Sequence, residues 1–495
     1  MSTAKLNAAQ ASGLAELMRI TPVADRLGRL FADAGHELYL VGGSVRDALL
    51  GRLGHDLDFT TSARPDEVER LLRRFSPAVW TIGKEFGTIG CQVTEPGGAT
   101  WLVEVTTFRS DAYAADSRKP EVVFGDTLAE DLVRRDFTIN AMAVSVPELR
   151  FQDPFDGLGD LARRLIRTPA APETSFSDDP LRMMRAARFA AQLGFVPAPE
   201  VVTAMTAMAD RIAIISAERV RDELTKLLLA DAPRPGLDLL VGTGLAQRVL
   251  PELPALRLER DEHHRHKDVY EHSLTVLEQA IVLEERLPEE QRPDLVNRLA
   301  ALLHDIGKPA TRRFEAGGKV SFHHHDVVGA KLARKRLTAL RFSSDQVKAV
   351  SELITLHLRF HGYGAQEGEG AAWTDSAVRR YVRDAGAELP RLHILTRADC
   401  TTRNKAKAAR LRSAYDDLEA RIAELAEEEE LASLRPDLDG RQIMALLDLP
   451  PGPLVGRAYN FLLELRIDEG PAGPERAEEA LRVWWAEQQG GLPAS

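Results

Sequence analysis

Long apolar runs are missing from this chain: no stretch of about 18 apolar residues occurs, so no membrane-spanning helix is expected. Cysteine is nearly missing as well. Cys91 and Cys400 are the only two among 495 residues, too few for a disulfide framework and compatible with a reducing compartment. The opening MSTAKLNAAQ lacks the apolar core of a secretory leader, and the expected location is the cytoplasm. No membrane contact and no obligate protein partner is implied. Nor is there an excess of positive charge. The 64 Lys and Arg face 75 Asp and Glu, for a net charge of −11. The chain as a whole repels nucleic acid, so an RNA site would have to be a local basic surface. Arginines do cluster, at Arg134 and Arg135, Arg163 to Arg167, Arg182 to Arg188, and Arg219 with Arg221. Solvated helix faces give the same pattern, so composition neither supports nor excludes RNA.

The chain is too long for one core, and three or four domains are expected. Residues 1–35 read as a helix ending near Gly35. From 36 to about 150, short β-rich runs alternate with glycine: HELYLVGG, DLDFTT, TIGCQV, TWLVEVTTF and NAMAVSV. The polar stretch 109–130 lacks periodicity and is expected to be a mobile loop. Beyond about 160 strands nearly vanish, and amphipathic helices such as DPLRMMRAARFAAQLGF and SAERVRDELTKLLL take over. Proline and glycine at 233–236, 251–254 and 362–371 mark junctions. The expected fold class is α+β. An N-terminal helix (1–35) precedes a head with a small mixed sheet (36–165). An all-helical neck (166–257), body (258–405) and tail (406–495) follow.

In LVGGSVRDALLG, Gly42 and Gly43 stand between a strand and a helix start, where backbone N–H groups can approach a phosphate. Arg46, one turn on, adds a charged donor. In HDLDF, Asp56 and Asp58 are two apart, so on a strand both carboxylates leave from one face. Glu104, in WLVEVTTF, offers a third. Anions on one side repel unless a cation lies between them, and all-oxygen coordination suits Mg²⁺, with phosphates completing the shell. An edge strand decorated with acids would show the same spacing. The glycine turn and Arg46 favour a two-metal phosphoryl-transfer site.

These motifs resemble the signature of the polymerase-β-like nucleotidyltransferases, in the branch that holds CCA-adding enzymes and bacterial poly(A) polymerases. RRDFTINAMA (134–143), FDGLGDL (155–161), DDPLRMMRAARF (178–189) and SAERVRDELTKLL (216–228) are similar to that branch's further motifs, in order. The resemblance implies template-independent addition or repair of the CCA end of tRNA from CTP and ATP, releasing pyrophosphate. Asp56, Asp58 and Glu104 would be catalytic, with Asp56 and Asp58 holding Mg²⁺. Cytosine and adenine both present an amine donor beside a ring-nitrogen acceptor, whereas guanine and uracil reverse that order. One carboxylate beside one guanidinium therefore selects C and A. Asp179 and Arg182, at i and i+3 on an expected helix, share a face, and the resemblance gives them this role. It implies that Arg185 and Arg188 help hold nucleotide or triphosphate. Position 178 is Asp where the family usually has Glu. Arg135 is a candidate phosphate or sugar contact. Asp136 and Asn140 either recognise ribose or brace the site, and Asp136 could equally cap the next helix. Gly157 and Gly159 read as a hinge between head and neck. RSDAYAADSRKPEVVF, within 109–130, resembles the flexible loop that full CCA-adding enzymes carry and CC-only enzymes lack, which favours addition of both C and A.

Of 13 histidines, 11 lie between His263 and His393. His272 in YEHSL, His304 and Asp305 in LLHDIGKP, and Asp399 in TRADC are similar, in order, to the HD phosphohydrolase superfamily. The resemblance implies a divalent metal of unspecified identity and a phosphatase or 2′,3′-cyclic phosphodiesterase activity. His325 and His357 lie where two-metal HD proteins often place further ligands. The runs 263–266 and 323–325 could also be ordinary polar surface. The segment from LDGRQIMALL to LELRIDEG is similar to the family's tail, which grips the tRNA elbow. Alternatives are a poly(A) polymerase, an HD phosphohydrolase with an RNA-binding but non-catalytic head, and a non-catalytic scaffold. The HD pattern and the 109–130 loop argue against the first, and the three head carboxylates argue against the second. Two intact metal sets argue against the third.

Overall fold

The computed structural model describes residues 8–95, 97–109, 124–257, 268–315, 319–360, 374–400, 405–429 and 435–490. Most of the 109–130 loop and the histidines at 263–266 lie outside the described residues. The chain forms two compact units, Met1–Pro251 and Glu252–Ser495.

The first unit opens with α1 (Ala8–Asp33), which buries Val23, Ala24, Leu27 and Phe31 at helical spacing. A seven-stranded sheet follows, from β1 (Leu38–Val41), β2 (Asp56–Thr61), β3 (Ala78–Trp80), β4 (Thr88–Thr94), β5 (Thr100–Thr107), β6 (Ala143–Ser145) and β7 (Phe151–Gln152). Its spatial order is β3-β4-β5-β2-β1-β6-β7, and the β2–β5 pair is parallel while the others are antiparallel. The five expected runs became β1, β2, β4, β5 and β6. The edge strands β3 and β7, of three and two residues, are too short to show an alternation. The mixed sheet of the expected α+β head is thus present.

β2 is the middle strand, which removes the acidic edge strand as an explanation for Asp56 and Asp58. Along it Leu57 and Phe59 are buried, while Asp56 and Asp58 are exposed on the opposite face. The helices α2 (Gly43–Leu49) and α3 (Pro65–Phe75) follow β1 and β2, and α3 closes the core with Val68, Leu71 and Leu72. α4 (Leu128–Val133) is capped by Thr127, whose side chain accepts from the Glu130 N–H.

α5 (Gly157–Arg163), α6 (Pro172–Asp178), α7 (Leu181–Leu193), α8 (Pro199–Met208), α9 (Ala217–Leu228), α10 (Arg234–Gly242) and α11 (Ala246–Val249) complete this unit. A two-strand pair, Leu165–Ile166 with Val196–Pro197, interrupts the expected all-helical neck. A Cβ on Gly157 would fall 2.3 Å from the Thr138 carbonyl oxygen, so close packing accounts for this glycine of the expected hinge.

The expected helix over DDPLR starts later than its pattern suggested. Asp179 is extended, with φ −139° and ψ 100°, and α7 begins at Leu181. Pro180 is the cause, because its ring disfavours helical backbone in the residue before it. Asp179 and Arg182 therefore do not share a helical face.

The second unit is built from α12 (Val269–Leu283), α13 (Leu295–Leu303), α14 (Lys308–Thr311), α15 (His325–Ala339), α16 (Ser344–Leu356) and the helices Asp375–Ala385 and Leu389–Asp399. The hairpin Arg313–Glu315 with Lys319–Ser321 is its departure from all-helical. The helices Lys405–Glu429, Gly440–Leu447, Pro453–Glu469 and Pro474–Gly490 follow. The last three share a small core of Ile443, Ala458, Leu462, Ala477 and Leu481.

Candidate functional site

The parallel register of β2 and β5 sets Asp58 directly beside Glu104, with Asp56 two residues back on the same face. No hydrogen bond or ion pair neutralises these three carboxylates among the described residues. Protein crowding raises the Asp58 carboxyl group above the usual carboxylate range; Asp56 adds to this, while Arg135 and Arg46 oppose it. Desolvation, then Asp58 and Asp56, raises Glu104. Such crowding without a counter-ion is what a cation would relieve, so the residues fit a divalent metal.

Gly42 turns the chain from β1 into α2 with φ 69°, a conformation that favours glycine. A Cβ there would also lie 3.0 Å from Arg135 Nη1 and 3.9 Å from Asp58 Oδ2. Gly43 opens α2, and Ser44 ties that helix to β2. The Ser44 hydroxyl accepts from the Asp58 N–H at 2.9 Å and donates to the Asp56 carbonyl at 3.3 Å.

Behind this face the polar side chains form two bonded groups. Asp131, fully buried, takes the guanidinium groups of Arg134 and Arg135, each at 2.9 Å. Arg46 donates to Asn140 at 2.7 Å, Asn140 to Asp136 at 2.9 Å, and Arg185 to Asp136 at 2.8 Å. Asp136 also accepts from the Phe137 N–H at 2.8 Å. Despite burial, Arg185, Asn140 and Arg182 hold its carboxyl group down at about 2. Of the readings open for Asp136 and Asn140, bracing is the one these bonds display.

The side chains of the expected base-reading pair bond to other partners. Asp179 accepts from Arg219 at 2.9 Å and from the Leu181 N–H at 3.0 Å. Arg182 instead donates to Ser175 Oγ at 2.8 Å and to the Arg134 carbonyl oxygen at 2.5 Å. Arg188 is buried against Glu223 at 2.6 Å. Ser44, Asp131 and Glu223 escaped the sequence reading. Only Asp131, one helical turn before Arg134 and Arg135, offered a spacing that could have flagged it, since Glu223 meets Arg188 from 35 residues away.

In the second unit, helix ends converge. His304 and His357 follow the last turns of α13 and α16, His325 begins α15, and Asp399 ends its helix. His272 Nε2 lies 2.9 Å from Asp399 and 3.5 Å from Asp305, and His304 Nε2 lies 3.3 Å from Asp305. His272, His304 and Asp305 offer ligand atoms all within 4.8 Å of one another, and so do Asp305, His325 and His357. The Nδ1 atoms of His304, His325 and His357 face backbone carbonyl oxygens at 2.9, 2.8 and 2.6 Å, which leaves each Nε2 lone pair for a ligand. The Nε2 atom of His357 is buried and without a hydrogen-bond partner, as an unfilled metal ligand would be, while His325 Nε2 lies 3.3 Å from Asp305. Against burial, Asp305 and Asp399 carry His304 up to about 10. Burial and the charge of His304 push His357 down to about 4. The carboxylates of Asp305 and Asp399 thus give the pocket an anionic field that suits a cation. Lys308 pairs with Asp305 at 2.5 Å.

Residues 38–167 match the Poly A polymerase head domain, 194–256 the probable RNA and SrmB-binding site of polymerase A, and 269–404 the HD domain. The chain is 34% identical over 462 residues to an A-adding tRNA nucleotidyltransferase of Deinococcus radiodurans, covering 91% of this chain and 96% of that protein. It is 47% identical over 215 residues to a CCA-adding enzyme of Levilactobacillus brevis, covering 43% of this chain and 52% of the relative. That match therefore spans only about half the relative's length. The Bacillus stearothermophilus CCA-adding enzyme solved in complex with CTP superposes with a TM-score of 0.62 at 25% identity, covering 95% of this chain and 99% of that chain. Nucleotidyltransferase and HD families generally use divalent metals. No helix among the described residues is long and apolar enough to cross a membrane.

Proposed function

The chain belongs to the tRNA nucleotidyltransferase and poly(A) polymerase family, and we propose that it adds or repairs the 3′-terminal CCA of tRNA from CTP and ATP, releasing pyrophosphate. The observation that carries this reading is the face shared by Asp56, Asp58 and Glu104 on the central strands, next to the Gly42 turn and Arg135. Asp56 and Asp58 would hold Mg²⁺, with Glu104 as the third carboxylate. When bound, the ion neutralises charge on the transferring phosphate and eases loss of the proton from the tRNA 3′-hydroxyl. The chain's own contribution is positional. Arg135, fixed by Asp131, and Arg185, fixed by Asp136, present guanidinium groups to the triphosphate. Base selection requires an exchange of partners: Asp179 leaves Arg219, Arg182 leaves Ser175 and the Arg134 carbonyl, and the two meet on the base edge. In this scheme residues 36–165 catalyse, 166–257 select the nucleotide, and 406–495 grip the tRNA, all in the cytoplasm where tRNA and nucleotides are found.

A second reading, addition of the terminal A alone, is favoured by the nearly end-to-end likeness to the A-adding relative. The test offers each nucleotide singly to tRNA lacking CCA and to tRNA ending in CC, resolved to one nucleotide. Two CTP-derived additions followed by one from ATP support the first reading. Extension by ATP of the CC-ended tRNA only selects the second. ATP tailing of any RNA sinks both and leaves a poly(A) polymerase.

The HD cluster supports a separate proposal, metal-dependent hydrolysis of a small phosphate ester such as a 2′,3′-cyclic phosphate. His272, His304, Asp305 and Asp399 would hold one divalent ion, and Asp305, His325 and His357 a second. Either ion would supply Lewis acidity to the ester.

A further inference from the structure

Phe189, on α7, is only 3% exposed, and its ring is surrounded by cations. The guanidinium carbons of Arg188, Arg46 and Arg185 lie 4.1, 5.2 and 6.0 Å from the ring centroid. Phe137 meets the same ring edge-to-face, with centroids 5.7 Å apart and planes at 82°. Arg46 comes from α2, beside the phosphate turn, and the other two arginines from α7. Each arginine has its own carboxylate: Glu223 for Arg188 at 2.6 Å, Asp136 for Arg185 at 2.7 Å, and Asp47 for Arg46 at 2.8 Å. Carboxylates neutralise charge but do not space three like-charged groups. An aromatic face does both, because its negative quadrupole attracts each cation while its rigid plane keeps them apart.

We propose that Phe189 is a positioning residue for nucleotide binding, whose π-face holds Arg46, Arg185 and Arg188 at a fixed spacing for the incoming triphosphate. The inference rests on reading those arginines as triphosphate contacts. A residue that merely fills the core would need the volume of Phe189 but not its electrons, and that is the distinction to test.

The experiment replaces Phe189 in the full chain by mono-, di- and trifluorophenylalanine. These nearly keep the shape and progressively empty the π-face. Binding of inorganic tripolyphosphate is measured by calorimetry, alongside KM and kcat for CTP and ATP and the melting temperature. Kd and KM should climb with each fluorine to about five- to tenfold at the trifluoro ring, with kcat and melting little changed. Phe189→Tyr should bind close to wild type, and Phe189→Leu should bind at least as weakly as the trifluoro variant. A flat fluorine series, with Phe189→Leu binding normally, overturns the proposal and leaves a packing role. Absence of nucleotide addition by the unsubstituted protein would instead count against the proposed function, while the tripolyphosphate series would still decide the role of Phe189.

Discussion

The two acidic sites are built in opposite ways. In the first unit the ligands stand on neighbouring strands, where register fixes Asp58 beside Glu104 but leaves the face open and the carboxylates unpaired. In the second unit they stand at the ends of helices whose tips meet, and six side chains, four of them imidazoles and one of them Asp305, are gathered together. A strand-borne site keeps one side free for a triphosphate and a large RNA, whose oxygens can complete the metal shell. A site at converging helix ends is enclosed and preformed, which suits a small ester and nitrogen-loving metals. The open site depends on its substrate for completion and the closed one does not.

The sharpest way to break this comparison is to disable one site and read both activities. Asp58→Ala should lower nucleotide addition by about a thousandfold or more. Hydrolysis of a 2′,3′-cyclic phosphate by the same preparation should be unchanged. Addition that survives within tenfold would mean that the head carboxylates are not the catalytic set.

A smaller effect is expected at the closed site. His357 contributes to one of the two ligand groups and not the other, so His357→Ala should weaken one divalent ion about 10- to 100-fold. Calorimetric titration with Mn²⁺, in an Asp56→Ala, Asp58→Ala background that removes the head site, should find two ions with His357 present and one tight ion with His357→Ala. Nucleotide addition by the single His357→Ala variant should be unaffected. Two equally tight ions with His357→Ala in that background would remove that histidine from the ligand set.

The same contrast explains what the sequence could disclose. Asp56 and Asp58 were legible because a strand has a period of two, and Glu104 because it lies in a recognisable β-run. The central position of β2, which rules out solvent decoration, depends on strand order and cannot be seen in a local pattern. His304 and Asp305 announce themselves within one short motif. Convergence of His325 and His357 on Asp305 depends on where α15 and α16 meet α13, which spacing along the chain does not encode. The face shared by Asp179 and Arg182 was misjudged despite a visible Pro180. Their actual partners, Arg219 and the Arg134 carbonyl, lie 40 and 48 residues away. Ion-pair choice among many arginines and carboxylates is a tertiary property, and no periodicity predicts it.

Acid provides the finest test, because the bracing behind the open site depends on a charged carboxylate. Asp136 titrates at about 2 rather than the usual 3.8. Its contribution to folding is therefore complete above pH 4 and declines as the pH falls toward 2. The difference in pKa corresponds to about 2 kcal/mol at neutral pH. Asp136→Asn should lose about that much in urea unfolding at pH 7, and the gap from wild type should close as the pH is taken from 5 to 2. Asp131, Asp305 and Asp399 are also held low, but both proteins carry them, so their contributions cancel in the difference. A gap that stays constant with pH would show that the variant lost hydrogen-bond geometry rather than a charge. The link between Arg185 and the head would then be one of shape, and the open site would owe less to electrostatics than the closed one.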